Sequence, residues 1–175
     1  VTNLEPCDLD APLVLKPVDD GSSIDMAICK TNEEVIKARK QLHNKRESLL
    51  AETYIEGDEV TVGIVDGDPL PIIKIIPPED IRTYDFAAKY ERDDTKFIIE
   101  PELPPNDCVE SSLHLYKTMN IQDIARVDFI INSGVAWFLE LNTMPGFTNH
   151  SLIPMAAKHA GMSMPEICTN LVELA

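Results

Sequence analysis

The sequence is short of positive charge, of paired cysteines and of long apolar runs. Lysines and arginines number 15 against 30 aspartates and glutamates, a formal net charge of −15. That imbalance argues against nucleic acid or an anionic membrane surface as a partner. It does not exclude a nucleotide, because a local basic site and a cation decide that. Cys7, Cys29, Cys108 and Cys168 stand far apart without paired spacing, so they read as reduced thiols rather than zinc ligands. No apolar stretch approaches the roughly 20 residues of a membrane span, and no secretory signal precedes the first motif. The expected compartment is the cytoplasm. The rest is ordinary for a globular chain, with 44% apolar and 26% charged residues in 175 positions. That length supports one domain, or two small ones, with a real core.

The most informative stretch is Arg126–Leu152, RVDFIINSGVAWFLELNTMPGFTNHSL. Two β-branched and aromatic runs flank Asn132-Ser133-Gly134, so the stretch predicts a β-hairpin. A three-residue loop, Ser133 to Val135, places Asp128 opposite Glu140 and Arg126 opposite Asn142. Alternation then puts these four polar residues on one face. Val127, Phe129, Ile131, Trp137, Leu139 and Leu141 take the other face, which is core. Directly opposed carboxylates lie roughly 5 Å apart at Cβ and repel. A shared cation explains them, and an all-oxygen set suits Mg²⁺ or Mn²⁺ rather than zinc. A solvated polar face of a half-buried hairpin accounts for the pattern equally well.

Upstream, PLVLK (12–16) and Ile24–Lys30 read as strands joined through Gly21-Ser22-Ser23. Such a tip can offer backbone N–H groups and hydroxyls to phosphate, with Lys16 beside it; it is also a common turn. Thr31 and Glu34 form a capping box ahead of a helix whose apolar stripe is Val35, Ala38 and Leu42. Leu49–Ile55 and Glu59–Val65 read as strands around Glu56-Gly57-Asp58, and Asp66-Gly67 turns the chain into PLPIIKII (69–76). Pro77–Asp94 is a long polar loop, the kind that often serves as a lid. Asp107 and Glu110 open a helix with Val109, Leu113 and Tyr116 inward. Ser151 opens a helix that Gly161 ends, and Ser163 with Glu166 caps the last one, where Ile167, Leu171 and Leu174 pack inward. A serine at a helix start is commonly only a cap, but the same geometry can hold a carboxylate.

ELNTMPGFTNHSLIPMAAKHAGMS (140–163) resembles the signature end of the D-alanine–D-alanine ligases, within the ATP-grasp superfamily of carboxylate–amine ligases. The likeness runs from about Leu13 to the C-terminus. It implies an α+β ATP-grasp fold: a small lobe (11–55), a larger lobe (56–175) carrying the metal and substrate-carboxylate site, and nucleotide between them, with residues 1–10 a linker or boundary. It implies ATP and Mg²⁺ (or Mn²⁺) as cofactors and D-alanine as the substrate joined through an acyl phosphate, in peptidoglycan precursor synthesis. By this resemblance Lys16 and Ser23 meet the phosphates, Ser22 lies near substrate, and Glu52 with the Ile55 backbone holds adenine. Glu59 takes the ribose hydroxyls, Lys89 meets the transferring phosphate, and Tyr90 bonds across the closed site. A tyrosine there resembles the D-alanine type rather than the D-lactate type. Asp128, Glu140 and Asn142 hold the metal, while Arg126, Ser151 and Leu152 grip the second amino acid's carboxylate. Arg126 in a bare structural ion pair is the alternative.

Relatives usually have glycine where this chain has Asp25, so an acid opposing phosphate is expected there, and many have a small residue at the place of Asp123. The flap begins within twenty residues of Val1, so the family's amino-terminal domain is expected as a further partner, with a homodimer for the complete protein. Two alternatives remain open: an ATP-grasp ligase for another acid and amine, and a nucleotide-binding module without catalysis.

Overall fold

The structure, a computed structural model, describes residues 7–19, 21, 23–78, 94–103, 107–148 and 150–174. Its chain divides into two compact units, Val1–Ile55 with Pro77–Thr95, and Glu56–Ile76 with Lys96–Ala175.

In the first unit, β1 (Leu13–Pro17), β2 (Ala27–Cys29) and β3 (Leu49–Thr53) form an antiparallel sheet in the order β2-β1-β3. Helix α1 (Asn32–Leu42) supplies the residues that complete its core. Leu13 and Leu15 alternate inward along β1 and join Cys29, Val35, Ala38, Leu42 and Leu49. The helical stripe is thus the one its spacing dictates. The Thr31 hydroxyl accepts from the Glu34 amide at 3.3 Å, while the Glu34 carboxylate reaches one residue further back, to the Lys30 amide at 2.6 Å. The second strand is shorter than expected. Ser23 and Asp25 adopt φ of 57° and 55°, left-handed values that no strand accommodates, so pairing begins only at Ala27.

The second unit is a six-stranded antiparallel sheet built on β4 (Asp58–Val65), with β5 (Asp68–Pro69), β6 (Ile73–Ile76), β7 (Lys96–Ile99), β8 (Ile124–Asn132) and β9 (Val135–Asn142). Its main order is β7-β6-β4-β8-β9, with β5 also against β4. Pairing is interrupted between Pro69 and Ile73, where Pro71 has no N–H to give a ladder. One face packs on α2 (Cys108–Thr118): Val60, Val62, Val127, Phe129 and Ile131 are buried with Cys108. Helices α3 (Leu152–His159) and α4 (Met164–Leu174) follow. Ser163 and Glu166 form the reciprocal cap expected for α4, at 2.7 and 3.4 Å, and Ile167 is fully buried. Asp123 is explained by its backbone: at φ 65° it makes the turn into β8, and its carbonyl accepts from Asp66 N at 2.7 Å.

The central hairpin reaches its expected register by a different route. Asn132 pairs with Val135, so the turn has two residues, Ser133 and Gly134, at φ 50° and 83°. That is the primed turn suited to strand twist. A bulge between Asp128 and Phe129 then restores Asp128 opposite Glu140 and Arg126 opposite Asn142. Beyond the bulge the faces are exchanged. Phe138, not Leu139, pairs with Phe129, their rings meeting edge to face at 6.2 Å. Trp137 pairs with Ile130 and is 47% exposed, so its expected core position is corrected.

Where β4 begins, the backbone runs close under β8. A Cβ at Gly57 would collide with the Ile131 carbonyl and the Ile130 side chain. Gly57→Ala is therefore expected to cost about 1–3 kcal/mol by overpacking, read as a lower urea midpoint. An unchanged midpoint would show that the strand end yields freely.

Candidate functional site

The register writes two rows across β4, β8 and β9: Thr61–Asp128–Glu140 and Gly63–Arg126–Asn142. Facing residues share a side of the sheet, and these lie opposite the face packed on α2. Asp128 is only 7% exposed. Arg126 clamps it, with Nε donating to Oδ1 and Oδ2 at 2.9 and 3.2 Å and Nη2 donating to Oδ2 at 2.8 Å. The same Nη2 lies 3.6 Å from Glu140 Oε1. One guanidinium thus stands between the two opposed carboxylates and neutralises the repulsion. The ion pair anticipated as the structural alternative for Arg126 is present.

The donor chemistry also fits a hard cation. Asp128 and Glu140 offer carboxylate oxygens, and Asn142 Oδ1, which accepts from Met144 N at 2.9 Å, retains a second lone pair. Among the described residues no three His, Cys, Asp or Glu side chains gather as a metal cluster. A cation here would complete its shell from water and phosphate, as Mg²⁺ commonly does. Burial pushes the Cys108 thiol up to about 11 and raises Cys29 as well, so neither supplies a thiolate.

Helix α3 shares this face. A Cβ at Gly63, the strand neighbour of Arg126, would meet Ile153 Cγ1 and Leu70 Cδ1 at 3.1 Å, so glycine admits the first turn of the helix. Ser151 precedes that turn without capping it. Its hydroxyl instead accepts from Thr148 N at 2.9 Å and lies 3.0 Å from Thr148 Oγ1. Leu152 is 7% exposed, so its side chain is packing and its amide is the group suited to an anion.

In the first unit, Lys16 and Glu52 come together at 2.6 Å on the sheet face opposite the core, beside partly exposed Val14 and Leu50. Asp25 does not stand as an unshielded acid. It pairs with Lys45 Nζ at 2.9 Å and Arg46 Nη2 at 3.3 Å, and the Lys45 hydrogen bond leads the causes that hold its carboxyl below the usual range. The acid expected to oppose phosphate is thus met by two cations of its own chain, and its backbone is left-handed at φ 55°. Ser23 and Ile55 are partly buried, and Glu59 lies on the same sheet face as Thr61. Ser22, Lys89 and Tyr90 lie outside the described residues. Thr61 and Gly63 were invisible in DEVTVGIV, where both read as strand filler; only register reveals their neighbours.

A family model described as the C-terminus of D-ala D-ala ligase matches residues 4–173. The chain belongs to the D-alanine–D-alanine ligase family. It is 39% identical over 170 residues to the D-alanine–D-alanine ligase of Maridesulfovibrio salexigens, covering 95% of this chain and 56% of that protein. The chain therefore spans about half the length of such curated relatives. Among solved structures, the Bacillus anthracis D-alanine–D-alanine ligase complexed with ATP superposes with a TM-score of 0.78 at 28% identity, over 99% of this chain and 57% of that one. The VanG D-Ala:D-Ser ligase of Enterococcus faecalis gives 0.77 at 26%, over 95% and 50%. The architecture is the α+β ATP-grasp portion of the ligase family.

Two outcomes follow for this ligase-family site. Without metal, Asp128→Asn is expected to cost about 3 kcal/mol, because a largely buried guanidinium loses its charged partner. Glu140→Gln should cost less than about 1 kcal/mol, as for an exposed pair. Equal losses in urea titrations would make Glu140 structural. A lowered pKa gives stability that is present above the unfolded value and lost as pH falls through the folded one. The advantage of wild type over Asp25→Asn is thus expected at neutral pH and fades below about pH 4; an advantage persisting undiminished in acid would contradict the Lys45 pairing.

Proposed function

We propose that this chain is the ATP-binding and second-substrate portion of an enzyme that joins two D-alanines. The first carboxylate takes the γ-phosphoryl group of ATP and the second amine displaces it as phosphate, with ADP released. The observation that carries this reading is the row Asp128–Glu140 with Arg126 between its carboxylates, in a chain of this family. The small lobe is assigned to 11–55 and the larger one to 56–175, although Pro77–Thr95 clusters with the first unit. A divalent cation bound by Asp128, Glu140 and Asn142 would neutralise charge on the β- and γ-phosphate oxygens.

The remaining work falls to the chain's own side chains. Glu52, beside Lys16 at 2.6 Å, offers an acceptor to the exocyclic amine of adenine. The Ile55 backbone meets the same base, Glu59 accepts from the ribose diol, and Ser23 and Lys16 face phosphate. Ser22, Lys89 and Tyr90 are assigned to the closing side of the site. Arg126, the Ser151 hydroxyl and the Leu152 amide hold the second substrate's carboxylate, the last aided by the positive end of α3. This orients the attacking amine on the acyl phosphate of the first D-alanine. No nucleophilic side chain is needed; catalysis is alignment and charge neutralisation.

No helix among the described residues is long and apolar enough to cross a membrane, and we assign the reaction to the cytoplasm. A homodimer and an additional amino-terminal substrate domain belong to the same proposal. The VanG likeness favours one second reading, the same activation chemistry with another acceptor than D-alanine. The ground for a non-catalytic module weakens, because Asp25 is neutralised by Lys45 and Arg46.

The natural protein given Mg-ATP and D-alanine is expected to yield D-alanyl-D-alanine with one ADP each. Arg126→Ala should remove the product, and Glu140→Gln should remove the thermal shift caused by Mg-ATP. Product formed only with another amino or hydroxy acid would establish the second reading. An unaltered Mg-ATP shift in Glu140→Gln would remove that residue from the metal set.

A further inference from the structure

Asp128 has a second hydrogen-bonding partner that its proposed role does not by itself require. The Thr61 hydroxyl donates to Asp128 Oδ1 at 2.6 Å, and the threonine is 1% exposed. The alternative acceptor, the Val127 carbonyl, lies at 3.4 Å. A hydroxyl has one proton, and the short contact to an ionised oxygen wins it. Register forces the meeting, since Thr61 on β4 stands directly opposite Asp128 on β8. The branched side chain has little rotamer freedom at a buried strand position.

The two kinds of donor on Asp128 differ in what a cation does to them. Arg126 holds Oδ2 through Nη2 and straddles both oxygens through Nε. A metal ion on this carboxylate competes with that guanidinium for the same lone pairs and repels it. Thr61 is neutral, approaches Oδ1 from within the sheet, and has no reason to leave. The donor that fixes the carboxylate plane while Arg126 turns to other work is therefore Thr61.

We propose that Thr61 is the positioning residue of the cation site, holding Asp128 Oδ1 so that Oδ2 is presented to the metal when Arg126 releases it. This rests on the metal assignment above, and the test separates the two. Hydrogen bonds to ligating carboxylates typically contribute about 10–100-fold in metal affinity.

Mn²⁺ alone is titrated into the natural protein and its variants, with free ion followed by electron paramagnetic resonance and thermal midpoints recorded without metal. Thr61→Val keeps the branched shape and removes the hydroxyl, and is expected to weaken Mn²⁺ binding about 10–100-fold. Thr61→Ser, which keeps the hydroxyl, should bind close to wild type, and Asp128→Asn should lose at least as much as the valine variant. Should the valine variant not fold, Thr61→Ala gives the same comparison against serine. Wild-type Mn²⁺ affinity in Thr61→Val, with Asp128→Asn impaired, would overturn the role of Thr61 and leave the metal site intact; a lowered thermal midpoint alone would mark a merely structural threonine. Equal losses in the serine and valine variants would also overturn it. Undiminished binding in Asp128→Asn would remove the metal assignment itself.

Discussion

Two carboxylates facing each other across a β-hairpin set the terms for everything around them. Asp128 and Glu140 repel each other across β8 and β9, and a positive charge between them relieves that repulsion. In the structure that charge is the Arg126 guanidinium, which is bidentate to the buried acid and 3.6 Å from the exposed one. The asymmetry matters. Asp128 is held by Thr61 as well and is built into the sheet, whereas Glu140 stands half open to solvent. One acid is thus fixed and the other can adjust, which suits the cation site proposed above.

The same face draws in the rest of the second unit. Gly63 lies beside Arg126 and leaves room for Ile153, so α3 brings Ser151 and the Leu152 amide to this side of the sheet. In the first unit the logic is simpler. A lysine and a glutamate on the outward face of three strands satisfy each other, and they are the pair assigned above to the nucleotide.

Local chemistry was legible where it is written in neighbouring residues. The α1 stripe, the Ser163–Glu166 cap and the opposition of Asp128 to Glu140 all follow from spacing in the sequence. The hairpin shows the limit of that method. A three-residue loop and a two-residue loop with a bulge give the same register at Asp128, but only the second turns Trp137 outward. Sequence spacing counts residues and cannot locate the extra one. Charges misled for a related reason. Asp25 reads as an acid beside a phosphate flap until Lys45 and Arg46, twenty residues on, are folded against it. Thr61 and Gly63 carried no signal, because their roles depend on which residues face them from β8 and α3.

The proposed ligase site requires a cation to replace the guanidinium between the two opposed acids. The most direct measurement is a crystal structure of the natural protein with Mn²⁺ and a non-hydrolysable ATP analogue, collected for manganese anomalous scattering. The expected peak lies about 2.1 Å from carboxylate oxygens of both Asp128 and Glu140, with Thr61 still bonded to Oδ1 and Arg126 no longer clamped on Oδ2. A peak elsewhere, with the Arg126–Asp128 pair intact, would contradict it.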